Sequence, residues 1–197
     1  MSELIPIEYH PLIPFLPSNA KVLMLGSFPP QQKRWSMDFY YPNLQNDMWR
    51  IFGIIFKSDR NAFVDLDNKR FNKPLLVDFL NEIGVALYDT ASAIKRLQGN
   101  ASDAALEVVE PTDVPALLRK IPKCTAIVTT GQKATDTLRA LFHLDQPVVG
   151  GSVAFRFEDR DVKLYRMPSS SRAYPMKIEK KAEYYRKMFD EIGFFEK

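Results

Sequence analysis

The sequence predicts an α/β domain of three layers, with helices either side of a mostly parallel central sheet. Three observations predict it. Apolar runs of strand length recur at residues 22–25, 85–88 and 126–130. Segments with helical apolar spacing alternate with them, the signature of parallel strands joined by crossover helices. Each run also meets a polar or glycine punctuation, at Gly26, at Asp89-Thr90 and at Gly131. The 197 residues suit one domain, 1–197, with a full-sized core.

The elements follow in order. Residues 22–25 are a buried-type strand ending at Gly26. Met48, Ile51, Phe52 and Ile55 repeat at helical spacing over residues 47–56. The polar stretch 58–73 reads as a surface excursion. Pro74, at a favoured first-turn position, opens a helix to residue 83 with Leu75, Phe79 and Leu80 inward. After the strand at 85–88, residues 91–97 are predicted as a short helix, and Gly99-Asn100 marks a break. Thr112 or Asp113 caps a helix over 114–121. Gly131 begins a helix to about residue 142. Val153, Phe155 and Phe157 alternate with Ala154, Arg156 and Glu158, and the turn Asp159-Arg160-Asp161 leads to a strand at 162–167, a hairpin. The last helix, 177–192, carries Ile178, Ala182, Tyr185, Met188, Phe189 and Ile192 on one face.

Composition excludes several classes. The 46% apolar and 26% charged residues are those of an ordinary globular protein, and no apolar run spans a bilayer. The start of the chain lacks a signal-peptide pattern, so the expectation is a cytoplasmic protein without a membrane partner. The single Cys124 excludes an intramolecular disulfide and any four-cysteine metal or iron–sulfur site. With only His10 and His143 as imidazoles, no metal and no cofactor are expected. Cys124 precedes an apolar strand, where a free thiol is normally core. The net charge of +3 permits nucleic-acid binding. Many of the basic residues lie near the C-terminal end (Arg166, Arg172, Lys177, Lys180, Lys181, Arg186, Lys187), and composition alone reads them as a solvated helix face.

Two separated segments carry the chemistry. Gly26-Ser27-Phe28-Pro29-Pro30 leaves the first strand, and glycine there lets the backbone turn sharply and expose amides to an anion or a base carbonyl. An ordinary strand-to-loop turn has the same composition. Tyr41 stands in a proline-stiffened loop, suited to stacking on a nucleobase. Asn46 can bond a base edge or a water, or cap the helix that follows; the two roles are compatible. Pro168, Ser169, Ser170, Ser171 and Arg172 follow the last strand as either a phosphate clamp or a plain serine-rich loop. Lys133, at the N-terminus of the helix after Gly131, can hold a phosphate as well. P-loop, dinucleotide and nucleophile-elbow patterns are absent.

As an ordered set these residues resemble the uracil-DNA glycosylase superfamily, nearest its mismatch-specific uracil/thymine and hypoxanthine-DNA glycosylase branches. The match runs from Lys21 to about Tyr174. It rests on the Gly26-Ser27-Phe28-Pro29 turn, Tyr40-Tyr41 with Asn46 and Trp49, Leu87-Tyr88-Asp89, Gly131-Gln132-Lys133-Ala134 and Pro168 to Ser171. The resemblance implies a uracil-DNA-glycosylase-like fold, with Gly26, Ser27, Phe28 and Pro29 facing a flipped base and Tyr41 stacking on it. It implies Asn46 as the catalytic amide, Pro168, Ser169, Ser170 and Ser171 as the loop that pinches the DNA backbone, and a wedge among Arg172 to Tyr174, where Ala173 is too small to fill a base gap. Uracil enzymes of the superfamily carry Asp in the first motif, and the mismatch branch carries Asn. Here Ser27 and Phe28 supply neither, and the histidine of the final motif is also absent, so the hypoxanthine-like branch fits better.

The implied activity is a monofunctional, monomeric DNA glycosylase that excises a deaminated base, hypoxanthine or uracil, from DNA in base excision repair. Two other readings remain open: a protein of the same fold that binds DNA without cleaving, and an enzyme of free nucleosides or nucleotides.

Overall fold

The computed structural model describes residues 4–97 and 105–196. In chain order the strands are β1 (Ile7–Tyr9), β2 (Val22–Gly26), β3 (Val64–Asp65), β4 (Arg70–Phe71), β5 (Val85–Asp89), β6 (Ala91–Arg96), β7 (Leu106–Pro111), β8 (Ala126–Thr130), β9 (Ser152–Phe157) and β10 (Arg160–Met167). The α-helices are α1 (Met48–Lys57), α2 (Lys73–Ile83), α3 (Val114–Lys120), α4 (Gln132–Phe142) and α5 (Ile178–Ile192).

The main sheet has the order β5-β2-β8-β10-β9. Its first four strands are parallel, and β9 returns antiparallel along β10 as the predicted hairpin. β2, β5 and β8 are buried at every position, as parallel strands covered on both faces must be. From β2 the chain crosses to β5 on one side and then passes to β8 and β10 on the other. Right-handed crossovers in opposite directions put the intervening helices on opposite faces, which makes three layers. α5 packs on α1. Trp49, Phe52, Tyr185 and Phe189 are fully buried there, and each such side chain contributes about 1.5–3 kcal/mol.

Local chemistry sets the helix ends. The Asn72 side chain accepts the Leu75 N–H and Pro74 occupies the first turn of α2. Asp113, one of the two predicted caps, accepts the Ala116 N–H at 3.0 Å. Gly84 closes α2 at φ 76°, where an added Cβ would meet the Asn19 carbonyl at 2.7 Å.

The structure corrects three assignments. On α2, Leu75 is exposed, and Leu76 takes the inward place beside Phe79 and Leu80. Residues 91–97 do not form a helix: 91–96 are β6, the middle strand of a second, antiparallel sheet β1-β6-β7. Register shifts at Ala91, Ala93 and Ile94 break the alternation, so its buried residues fall at 91, 93, 94 and 96 and read as a helical stripe. The excursion over 58–73 holds the short β3–β4 hairpin and sends Phe63 and Phe71 into the core. The break at Gly99-Asn100 lies outside the described residues. Among the described residues no helix is long and apolar enough to cross a membrane.

Cys124 is core, as expected. Its thiol is buried, its S–H donates to the Ala126 carbonyl at 3.3 Å, and burial pushes its pKa up to about 11. At pH 8 roughly one thiol in a thousand is then thiolate. The native protein should therefore react with an aromatic disulfide reagent at least about a hundredfold more slowly than the guanidinium-unfolded chain, read by the colour of the released aromatic thiolate.

Candidate active site

Four parallel strands end on one edge of the main sheet, and the residues that leave them meet. Gly26 lies beside Asp89 in the β2–β5 register, and Thr130 beside Met167 in the β8–β10 register. This carboxyl edge, where the strand order reverses between β2 and β8, is the usual ligand position of an open α/β sheet. A cavity of about 140 Å³ opens there, close to the ~150 Å³ that hold one benzene ring.

Of the predicted site residues, Gly26, Ser27, Phe28, Pro29, Tyr41, Asn46, Ser169, Ser170 and Ser171 line this cavity. Pro168, Arg172 and Lys133 do not. Pro168 is buried behind it, its carbonyl accepting the Tyr185 hydroxyl at 2.8 Å. Arg172 is half exposed outside it, 3.5 Å from Asp47. Lys133 is half-buried on the first turn of α4.

Tyr41 holds an unusual backbone. Its φ of 49° is left-handed, a conformation a bulky side chain adopts at a cost on the order of 1–3 kcal/mol. Its hydroxyl hydrogen-bonds Thr130 Oγ1 at 3.1 Å, and its ring packs nearly perpendicular to Trp49 with centroids 5.7 Å apart. The N-cap of α1 is Asp47, not Asn46; Asn46, one residue earlier, still accepts the first helical N–H, that of Met48, on Oδ1 at 2.9 Å, while its side chain borders the cavity. That bond occupies Oδ1 and does not use Nδ2.

The serine loop is held from behind through its carbonyls. Asp47 N–H donates to the Ser170 carbonyl at 2.9 Å, and Lys181 Nζ donates to the Ser171 carbonyl at 2.8 Å. Lys181 is fully buried and its Nζ also lies 3.0 Å from Asp47 Oδ2. It is therefore not part of a solvated face, which corrects the reading from composition; Lys177 and Lys180 are exposed. Within the loop, Ser169 Oγ accepts the Ser171 N–H and Ser171 Oγ the Ala173 N–H. Local turn chemistry thus occupies an acceptor position of two of the three hydroxyls.

The second sheet supplies a wall and side chains that motif reading missed. Arg96 and Leu106 border the cavity from β6 and β7. The Arg96 guanidinium is bonded by both Glu8 carboxylate oxygens, at 3.1 and 3.0 Å, and donates to the Pro29 carbonyl at 3.2 Å. Asp89 lines the floor, and His10, just after β1, hydrogen-bonds Asp89 Oδ2 through Nε2 at 2.7 Å, with Nδ1 3.1 Å from both the N–H and the carbonyl of Leu12. The His10 ring stacks on Tyr88 at 4.4 Å and meets Phe28 edge-on at 5.2 Å. Desolvation, with the Asp89 charge second, raises the Tyr40 and Tyr88 hydroxyls above their ordinary pKa. Nothing local in the sequence pairs His10 with Asp89, 79 positions away.

No family model and no curated protein matches the chain. Among solved structures, the fold is similar to a solution NMR structure described as a "putative Uracil DNA glycosylase" from Methanosarcina acetivorans. The identity is 20%, the match covers 95% of this chain and 99% of that one, and the TM-score is 0.63. The fold is thus uracil-DNA-glycosylase-like, a five-stranded mostly parallel sheet between helices.

Proposed function

We propose that this protein is a monofunctional, monomeric DNA glycosylase that excises a deaminated base, hypoxanthine or uracil, acting in the cytoplasm in base excision repair. The observation that carries the reading is one ring-sized cavity bordered at once by the Gly26–Pro29 turn, Tyr41, Asn46 and the serine loop. The similarity of fold agrees with it.

In this reading DNA lies across the carboxyl edge, and the target nucleotide leaves the stack at a cost of a few kcal/mol, least at a mismatch. The base enters the cavity and stacks on Tyr41, whose left-handed backbone is fixed beforehand. The C1′–N bond breaks with its electron pair going to the base, a water oxygen bonds to C1′, and the proton the water loses ends on the departing base anion. Backbone amides of the 26–28 turn stabilise the departing base, and Asn46 Nδ2 orients the water or the base edge. The loop from Ser169 to Arg172, stiffened by Pro168, binds the backbone phosphates, with Lys133 on the flank. No lysine ammonium borders the cavity among the described residues, so no Schiff base forms and the strand stays intact.

The test is base release from labelled duplexes carrying hypoxanthine, uracil or an intact base, wild type beside Asn46→Ala. Release of a deaminated base, reduced about a hundredfold or more in the variant, is the expected result. Covalent trapping by borohydride would remove the monofunctional assignment. Salt-sensitive duplex binding without release would point instead to a binding protein on this fold.

A further inference from the structure

Arg50 stands in the first turn of α1 and is held by what it touches. Its Nη1 donates to the Leu44 and Asn46 carbonyls, and its guanidinium lies over the Phe71 ring, 5.5 Å from the centroid. These hydrogen bonds fix the guanidinium and use neither Nη2 nor Nε. Arg172 reaches the next residue along, its Nε 3.5 Å from Asp47 Oδ1. Arg60 completes the group. Gly53, on the turn after Arg50, leaves room for the chain to fold back on α1, and an added Cβ there would meet the Arg60 carbonyl carbon at 3.3 Å.

The charges do not balance here. Among the described residues, Asp47 is the one carboxylate within ion-pair distance of Lys181, Arg172, Arg50 or Arg60, and its nearer partner is the buried Lys181. Burial, followed by the charges of Arg172 and Arg60, lowers the Arg50 pKa. An anion entering among the guanidiniums would relieve that repulsion. Their planar forks match the oxygens of a phosphate group. The place is the rim of the cavity: Asn46, whose carbonyl Arg50 holds, and Ser171, which Arg172 follows, both line it.

We infer that Arg50 and Arg172, with Arg60 beside them, form a seat for one phosphodiester of the strand, adjoining the extruded nucleotide. The inference rests on the glycosylase reading for the identity of the phosphate as that of DNA. It goes beyond that reading in giving α1 a contact of its own, apart from the serine loop. Because Arg50 also holds the Asn46 carbonyl, the same guanidinium joins the bound strand to the segment that carries the proposed catalytic amide.

The test uses duplexes with one tetrahydrofuran abasic site, which fixes the register and resists cleavage. Each carries a single neutral methylphosphonate linkage at a different position near that site. Binding is read by fluorescence anisotropy at several salt concentrations for the wild type, Arg50→Gln, Arg172→Gln and the double variant. In the wild type one linkage should matter most, its neutralisation weakening binding by about tenfold or more. That penalty should shrink in each single variant and vanish in the double variant, while penalties at other linkages stay. The salt slope of the double variant should fall by about 0.9, the change for one phosphate contact. A damaged fold would weaken binding at every linkage alike and would not erase the penalty at one. Arg172 is half exposed, so its variant reads the seat even where Arg50→Gln disturbs the loop before α1.

Penalties that persist at every linkage in the double variant, or that occur at none in the wild type, overturn the inference. Base release from hypoxanthine and uracil duplexes is read in parallel. Release with persistent penalties removes the seat and leaves the glycosylase reading intact. Erasure of one penalty without release from either lesion upholds the seat as a DNA contact and removes that reading. Absence of duplex binding overturns both.

Discussion

Lys181→Met should lower the unfolding free energy by about 3–5 kcal/mol, the cost of removing one partner from a buried ion pair. For a chain of this length that is a fall in Tm on the order of 10 °C. The lysine side chain has no exposure, and Asp47, 7% exposed, keeps only the more distant Arg172 when it goes. Urea unfolding followed by circular dichroism reads the loss. The double variant Asp47→Asn/Lys181→Met should lose less than the sum of the two single changes, because neither charge is then left buried alone. A single variant within about 1 kcal/mol of wild type would show that desolvation cancels the attraction. Base release should also fall, since the pair ties the residue after Asn46 to the carbonyl of Ser171.

Gly26→Ala should reduce kcat/KM for base release by about a hundredfold or more while leaving the fold in place. The new methyl would stand 2.7 Å from Asp89 Oδ1, closer than carbon and oxygen tolerate. Asp89 cannot swing aside without breaking its 2.7 Å bond to His10. The methyl would also fill space at the floor of a cavity of only about 140 Å³. Displacement of reacting groups by about an ångström costs this much in rate. Gly26 is not in the left-handed region, so the backbone accepts alanine and Tm should move by only a few degrees. Unchanged kinetics would mean that the reacting ring does not reach the end of β2.

Much of this arrangement was legible in the chain. Buried parallel strands write continuous apolar runs, and β2, β5 and β8 were found from theirs. The Gly26 turn, Asn46 and the serine loop stand out at a strand exit or just before a helix and Tyr41 in a proline-stiffened loop, and the fold brings them to one cavity. The misses have physical causes. β6 carries a bulge that removes the period of two, and its alanines suit a helix. β1 is too short to show a period. His10 and Asp89 are brought together by the pairing of β1 with β6 and by the Phe15–Leu87 bridge to β5, which no local spacing encodes. Lys181 left a usable signal: it lies three residues after Ile178 and four before Tyr185, on the apolar stripe of α5. A lysine on such a stripe asks for a buried carboxylate.

β1 gives the cavity an unexpected dependence. It has three residues and pairs on one side only, with β6, so it belongs to the part of a fold that opens most readily. Yet Glu8 and His10, which neutralise Arg96 and orient Asp89, arrive with it. When β1 lifts away, the cavity keeps an arginine and an aspartate without their partners. Docking of this strand and occupancy of the cavity are therefore linked by one coupling free energy. Whatever fills the cavity in its assembled form must, by reciprocity, slow hydrogen exchange at the amides of the β1–β6 ladder.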